Sequence, residues 1–105
     1  MNSKILFDVP TPCGFKVHTT YNYWNLIIAI KHPIMRGREL DIKDTLQSPD
    51  EIRRSRIDPE IYLFYKLESL DRFLCAVIKK ETIEGFLVTA YLTNKIKEGE
   101  KVWSK

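Results

Sequence analysis

The hydrophobic period of this chain passes from about 3.6 to 2 at Ser48-Pro49, and that change constrains the fold more than any other feature. From Tyr21 up to that point apolar residues recur at helical spacing; after it they alternate, the mark of half-buried strands. Thr19 or Thr20 can cap a helix over Tyr21 to Lys31. Trp24, Ile27, Ile28 and Ile30 make that helix apolar over much of its circumference, so it should be largely buried. Pro33 forces an extended conformation on His32 and ends it. A second helix, Glu39 to Gln47, places Ile42 and Leu46 on one face, and Ser48-Pro49 stops it.

Beyond Pro49, Glu51 to Ile57, Ile61 to Leu67, Arg72 to Lys79 and Gly85 to Thr93 read as four strands. Asp58-Pro59 turns the chain between the first two. The connections Ser69 to Asp71 and Lys80 to Glu84 are short enough for antiparallel neighbours. Ahead of the helices, Lys4 to Val9 and Phe15 to His18 form a hairpin about the turn Pro10-Thr11-Pro12-Cys13-Gly14. The expected class is therefore α+β: an N-terminal hairpin, then two helices packed on a four-stranded antiparallel sheet, in a single domain over residues 1–105.

Faces follow from pleating. In the last strand Phe86, Val88, Ala90 and Leu92 form an apolar side expected to meet the helices, whereas Leu87, Thr89, Tyr91 and Thr93 carry three hydroxyls on the other. Regular pleating puts Arg53 and Ser55 on that polar face, with Arg54 and Arg56 turned away. Tyr65 and Lys66 point opposite ways, and either can join it.

The net charge of +3 permits an anionic partner without demanding one. Cys13 and Cys75 form no CxxC pair. Cys75 lies in an apolar run and reads as a buried reduced thiol, which fits a cytoplasmic setting. The apolar stretch at Ile5-Leu6-Phe7 is too short for a signal peptide, and Leu26 to Ile30 too short to span a bilayer, so no membrane association is expected. Neither HxxxH, CxxC, a Gly-rich phosphate loop nor a G-x-S-x-G elbow occurs, so no metal and no cofactor is expected. Pro49-Asp50 matches the opening of a PD-(D/E)xK nuclease signature, but the only D-x-K triplet, Asp41-Ile42-Lys43, precedes it on the second helix. A metal-dependent DNA nuclease is thereby disfavoured.

Two features can carry chemistry. Arg53-Arg54-Ser55-Arg56 is a basic stretch that suits phosphate, or equally a charged edge strand that resists aggregation. His32 is a proton carrier suited to neutral pH, or equally a helix-end residue bonding the last carbonyls.

The succession Lys31-His32-Pro33, a basic loop, Pro49-Asp50-Glu51-Ile52-Arg53-Arg54-Ser55, Asp58-Pro59, Tyr62-Leu63-Phe64-Tyr65-Lys66 and Gly85-Phe86-Leu87-Val88-Thr89-Ala90-Tyr91 resembles the phage-associated branch of the barnase–EndoU–colicin–RelE (BECR) nuclease superfamily. The resemblance covers residues 20 to 103. It implies a BECR/RelE-like sheet carrying a metal-independent endoribonuclease, often the toxin of a toxin–antitoxin pair, with RNA as substrate and a small acidic antitoxin as partner. By motif position His32, Arg53, Tyr65 and Thr89 would be catalytic, and Ser55, Arg54, Lys66 and Tyr91 would hold substrate. Cleavage through the 2′-hydroxyl needs an acid/base, here His32, and a cation for the phosphorane charge, here Arg53. Several relatives use two histidines; His18, in the N-terminal hairpin, is not expected to supply the second. The alternative is a non-catalytic RNA- or protein-binding module on the same fold.

Overall fold

Local chemistry fixes where the elements start and stop. The computed structural model describes residues 4–96 and 99–105. Strands β1 (Ile5–Pro10) and β2 (Lys16–Thr20) form a hairpin. Thr20 ends β2 and caps α1 (Tyr21–Leu26): its Oγ1 accepts the Tyr23 N–H at 3.1 Å. The helix widens into a π-helical turn, Ile27–Lys31, closed by the His32 N–H bonding the Ile27 carbonyl at 2.7 Å. Pro33, which lacks an N–H, starts a 3-10 turn, Pro33–Met35. Helix α2 (Glu39–Gln47) carries Glu39 and Asp41 in its first turn, where the helix dipole favours carboxylates. Strands β3 (Glu51–Arg54), β4 (Ile61–Ser69), β5 (Arg72–Glu81), β6 (Glu84–Thr93) and β7 (Glu100–Ser104) follow.

These strands make one seven-stranded mixed sheet, in the order β1-β2-β6-β5-β4-β3-β7. This overturns the expected four-stranded antiparallel sheet under two helices. The meander β3 to β6 is only the middle of the sheet. The N-terminal hairpin is not a separate feature, because β2 joins β6 in parallel through Val17–Gly85 and His18–Phe86. At the other edge β7, read from the sequence as no element at all, pairs antiparallel with β3. About half of the described chain is strand, and the two helices are short.

Ile52, Phe64, Ala76 and Ala90 lie in register across β3, β4, β5 and β6 and belong to the main apolar cluster. Trp24, Ile27, Met35, Ile42 and Leu46 from the helical segments complete it. A bulge in β6 alters the expected faces: Val77 pairs with Thr89 but Ile78 pairs with Leu87, leaving Val88 as the extra residue. Leu87 is therefore fully buried in the cluster in place of Phe86 and Val88, whereas Ala90 and Leu92 keep the side the alternation gave them.

Beyond Phe86, β2 and β6 separate and the helical segment takes over along β6. Lys31 Nζ donates to the Val88 carbonyl at 3.2 Å and to the Tyr23 hydroxyl at 2.8 Å. An otherwise open strand edge is thus covered by a helix and a cation. Among the described residues no helix is long and apolar enough to cross a membrane.

Candidate active site

The covered edge of β6 is where His32 sits. The π turn ends at Lys31, and His32 leaves it with φ −145° and ψ 80°, a departure that turns its ring toward the sheet. Single π turns recur at functional sites because they re-aim the residues around them. The imidazole lies 5.8 Å, centroid to centroid, from the Tyr91 ring. Together with Ile34 and Leu92 these two rings line an open hollow of about 490 Å³.

Tyr91 is held from below. Tyr65, Cys75 and Tyr91 stand in register across β4, β5 and β6, and Tyr65 and Cys75 are both fully buried. Burial, and next the neighbouring Cys75 thiol and Tyr65 hydroxyl that hydrogen-bond to it, push the Tyr91 phenol well above its ordinary range. Tyr91 therefore keeps its proton at any physiological pH. It can donate a hydrogen bond or stack against a ring, but it cannot serve as a base. Two residues earlier on the same strand, the Thr89 Oγ1 is buried with no hydrogen-bond partner among the described residues. A buried hydroxyl left unpaired is costly, and is often answered by a ligand or a water.

The other residues singled out by sequence do not converge there. Arg53, Leu63, Val77 and Thr89 share one row, so Arg53 stands three strands from Thr89, about 14 Å at the usual strand spacing. Its guanidinium is also occupied: Nε donates to the Glu51 carboxylate at 2.5 Å, and one terminal nitrogen donates to the Gly99 carbonyl at 3.1 Å. Arg54 donates to the Pro59 carbonyl at 2.6 Å and lies over the Tyr62 ring. Ser55 is past the end of β3, where its Oγ accepts the N–H groups of Ile57 and Asp58, both at 3.2 Å. It shapes a turn and does not reach His32. Lys66 ties β4 to α2, donating to the Ser48 carbonyl at 2.7 Å beside Asp44. Tyr65 is too deep to meet a substrate and acts as support for Tyr91. His18 stands apart, its Nδ1 3.3 Å from a Glu84 carboxylate oxygen without hydrogen-bond geometry, its ring edge-on to Phe86.

Sequence reasoning passed over two contributors. Cys75 was legible as buried, but its place between two tyrosines depends on strand register. Lys31, adjacent to His32, has two of its three N–H donors bonded within the fold and one left to turn outward. Among the described residues no three His, Cys, Asp or Glu side chains come together as a metal site. No family model, no curated protein and no solved structure matches this chain.

Proposed function

We propose that this chain is a metal-independent endoribonuclease that cleaves RNA by attack of the 2′-hydroxyl on the adjacent phosphorus. The observation that supports this most is the half-buried His32 ring beside Tyr91, in a hollow open to solvent. In this reading His32 takes the 2′-hydroxyl proton as the new P–O bond forms and the P–O5′ bond breaks. The departing 5′-oxygen is protonated from the imidazolium so formed or from water. The free donor of Lys31, not Arg53, faces the phosphorane charge. Tyr91, which lines the hollow, offers a ring on which an unstacked base can lie.

The biological setting consistent with this reading is a cytoplasmic toxin restrained by a small acidic protein. The non-catalytic alternative has one observation in its favour, the engagement of Arg53 by Glu51 and Gly99. One experiment separates them. Purified protein is incubated with total RNA in EDTA beside His32→Ala and Lys31→Ala variants. RNA cleavage that survives EDTA, disappears in His32→Ala and falls in Lys31→Ala is the expected result. Cleavage that persists undiminished in His32→Ala refutes the assignment, and absence of cleavage on free RNA and on translating ribosomes alike leaves the binding module.

A further inference from the structure

Helix α2 does not cover the whole face it packs on. Its nine residues span about 14 Å, whereas the ten residues of β5 span about 34 Å. Lys66 pins the helix at one end of the sheet. At the other end the same face continues through Arg54 of β3, Tyr62 of β4 and Lys80 of β5, with Trp103 of β7 opposite Ile52. Here the β1–β2 turn folds over and contributes Phe15, whose ring meets Tyr62 edge-on at 5.3 Å.

The result is a basic, aromatic floor. Lys80 Nζ lies 5.4 Å from the Phe15 ring centroid and Arg54 5.7 Å from that of Tyr62. Two adjoining hollows of about 290 and 280 Å³ share Tyr62 and Lys80; Cys13 and Trp103 wall the first, Arg54 and Glu60 the second. The carboxylate is already matched, since Glu60 lies 3.7 Å from Lys79. Lys80 makes no ion pair with a carboxylate among the described residues. Arg54 uses its Nε on Pro59, which leaves the terminal nitrogens of its fork.

Aromatic faces interleaved with cations are what a single nucleic-acid strand requires: bases stack, and the backbone follows the charge. We propose that this hollow binds an unpaired nucleotide of an RNA strand, the base against Tyr62 and Trp103 and the phosphate on Lys80 and Arg54. The proposal rests on RNA being the substrate, and adds a second contact far from His32. A strand held there would be presented to the β6 edge from a fixed anchor.

The test uses the full chain carrying His32→Ala, so that the probe is not cut, and a fluorescently labelled ten-nucleotide oligouridine. Adding Tyr62→Ala should weaken binding about ten-fold, the scale of one lost stack. Lys80→Ala, a half-buried lysine whose loss spares the core, should weaken it too and lower the salt slope by about 0.7, one phosphate contact on a single strand. Oligouridine should quench Trp103, the one partly exposed tryptophan beside the buried Trp24, and should slow alkylation of Cys13. Affinity unchanged in both variants, with Cys13 alkylated at the same rate with and without RNA, overturns the site. Cleavage by the His32 protein is scored separately. Cleavage without any effect of Tyr62 or Lys80 on binding removes this site alone; Tyr62-dependent binding without cleavage keeps the site and removes the ribonuclease.

Discussion

Gly85→Ala should destabilise the protein through crowding at the joint between the N-terminal hairpin and the rest of the sheet. Gly85 pairs with Val17 in one of only two residue pairs that join β2 to β6. A Cβ there would stand 2.6 Å from Ile78 Cγ2, 3.0 Å from Phe15 Cε1 and 3.1 Å from Val17 Cγ2. Ile78 and Val17 are fully buried and branched at Cβ, so neither methyl can rotate away cheaply. Overpacking of this kind costs about 1–3 kcal/mol. The loss of glycine's freedom in the unfolded chain returns about 0.4–1 kcal/mol. A net loss of about 1–2 kcal/mol corresponds to a fall in Tm of roughly 5–15 °C for a chain of this size. Urea unfolding followed by tryptophan fluorescence, with Tm from circular dichroism, measures it. Adding Ile78→Ala removes the clashing methyl, so the double variant should lose less than the sum of the two singles. A Gly85→Ala protein as stable as the parent, or strict additivity with Ile78→Ala, would refute the packing described at this joint.

Four further outcomes follow from single contacts. Thr20→Ala removes the cap of α1 and should cost about 1 kcal/mol in urea unfolding. Thr82, a β-branched residue held at φ +56° in the β5–β6 turn, should gain about 1 kcal/mol on replacement by glycine, read as a higher urea midpoint. Burial pushes the Asp50 carboxyl up, but the Leu67 N–H, Lys105 and Lys66 outweigh it and hold it below its ordinary value. A carboxyl depressed by folding stabilises above its unfolded pKa, about 3.9, and loses that contribution as pH falls through the lower folded value. Asp50→Asn should therefore be less stable than the parent by a constant margin at pH 5–7, and the margin should shrink below pH 4. Burial raises the Cys13 thiol pKa while Lys80 lowers it; Lys80→Ala should therefore slow alkylation of Cys13 by iodoacetamide at pH 8.

The parts legible in the sequence are those set by local rules. Thr20, Pro33 and Ser48-Pro49 bound the helical segments where capping and proline chemistry place them, and period-two alternation locates the four strands from Glu51 to Thr93. What escaped is non-local. Val17–Gly85 is a parallel pairing between residues far apart in the chain, and nothing in either segment states it. Glu100 to Ser104 alternates too weakly to declare a strand; it becomes one because β3 offers an open edge. The bulge at Val88 reverses the expected side for Phe86 and Leu87 while leaving Ala90 and Leu92 in place, a change no alternation pattern can signal. The same distinction governs the site. His32 and Tyr91 were nameable by residue type, but their meeting depends on the helical segment lying along β6. The arginines of β3 carried the right chemistry for phosphate, yet register sets Arg53 three strands away and Glu51 and Gly99 occupy it.

That arrangement gives the parallel joint a functional meaning. Were β2 to continue beside β6 past Phe86, it would hydrogen-bond the Val88 edge and no room would remain for α1 and its π turn. Because the pairing stops after two residues, the chain turns at Thr20 into a helix that runs along the vacated edge. Lys31 then takes the Val88 carbonyl that a strand would have bonded, and His32 follows it onto Tyr91. The row Tyr65–Cys75–Tyr91, its first two members fully buried, fixes the far side of that contact. The position of the one imidazole at the hollow is thus a consequence of where two strands stop pairing, and its partner Tyr91 is braced by Tyr65 and Cys75, two side chains that never reach the solvent.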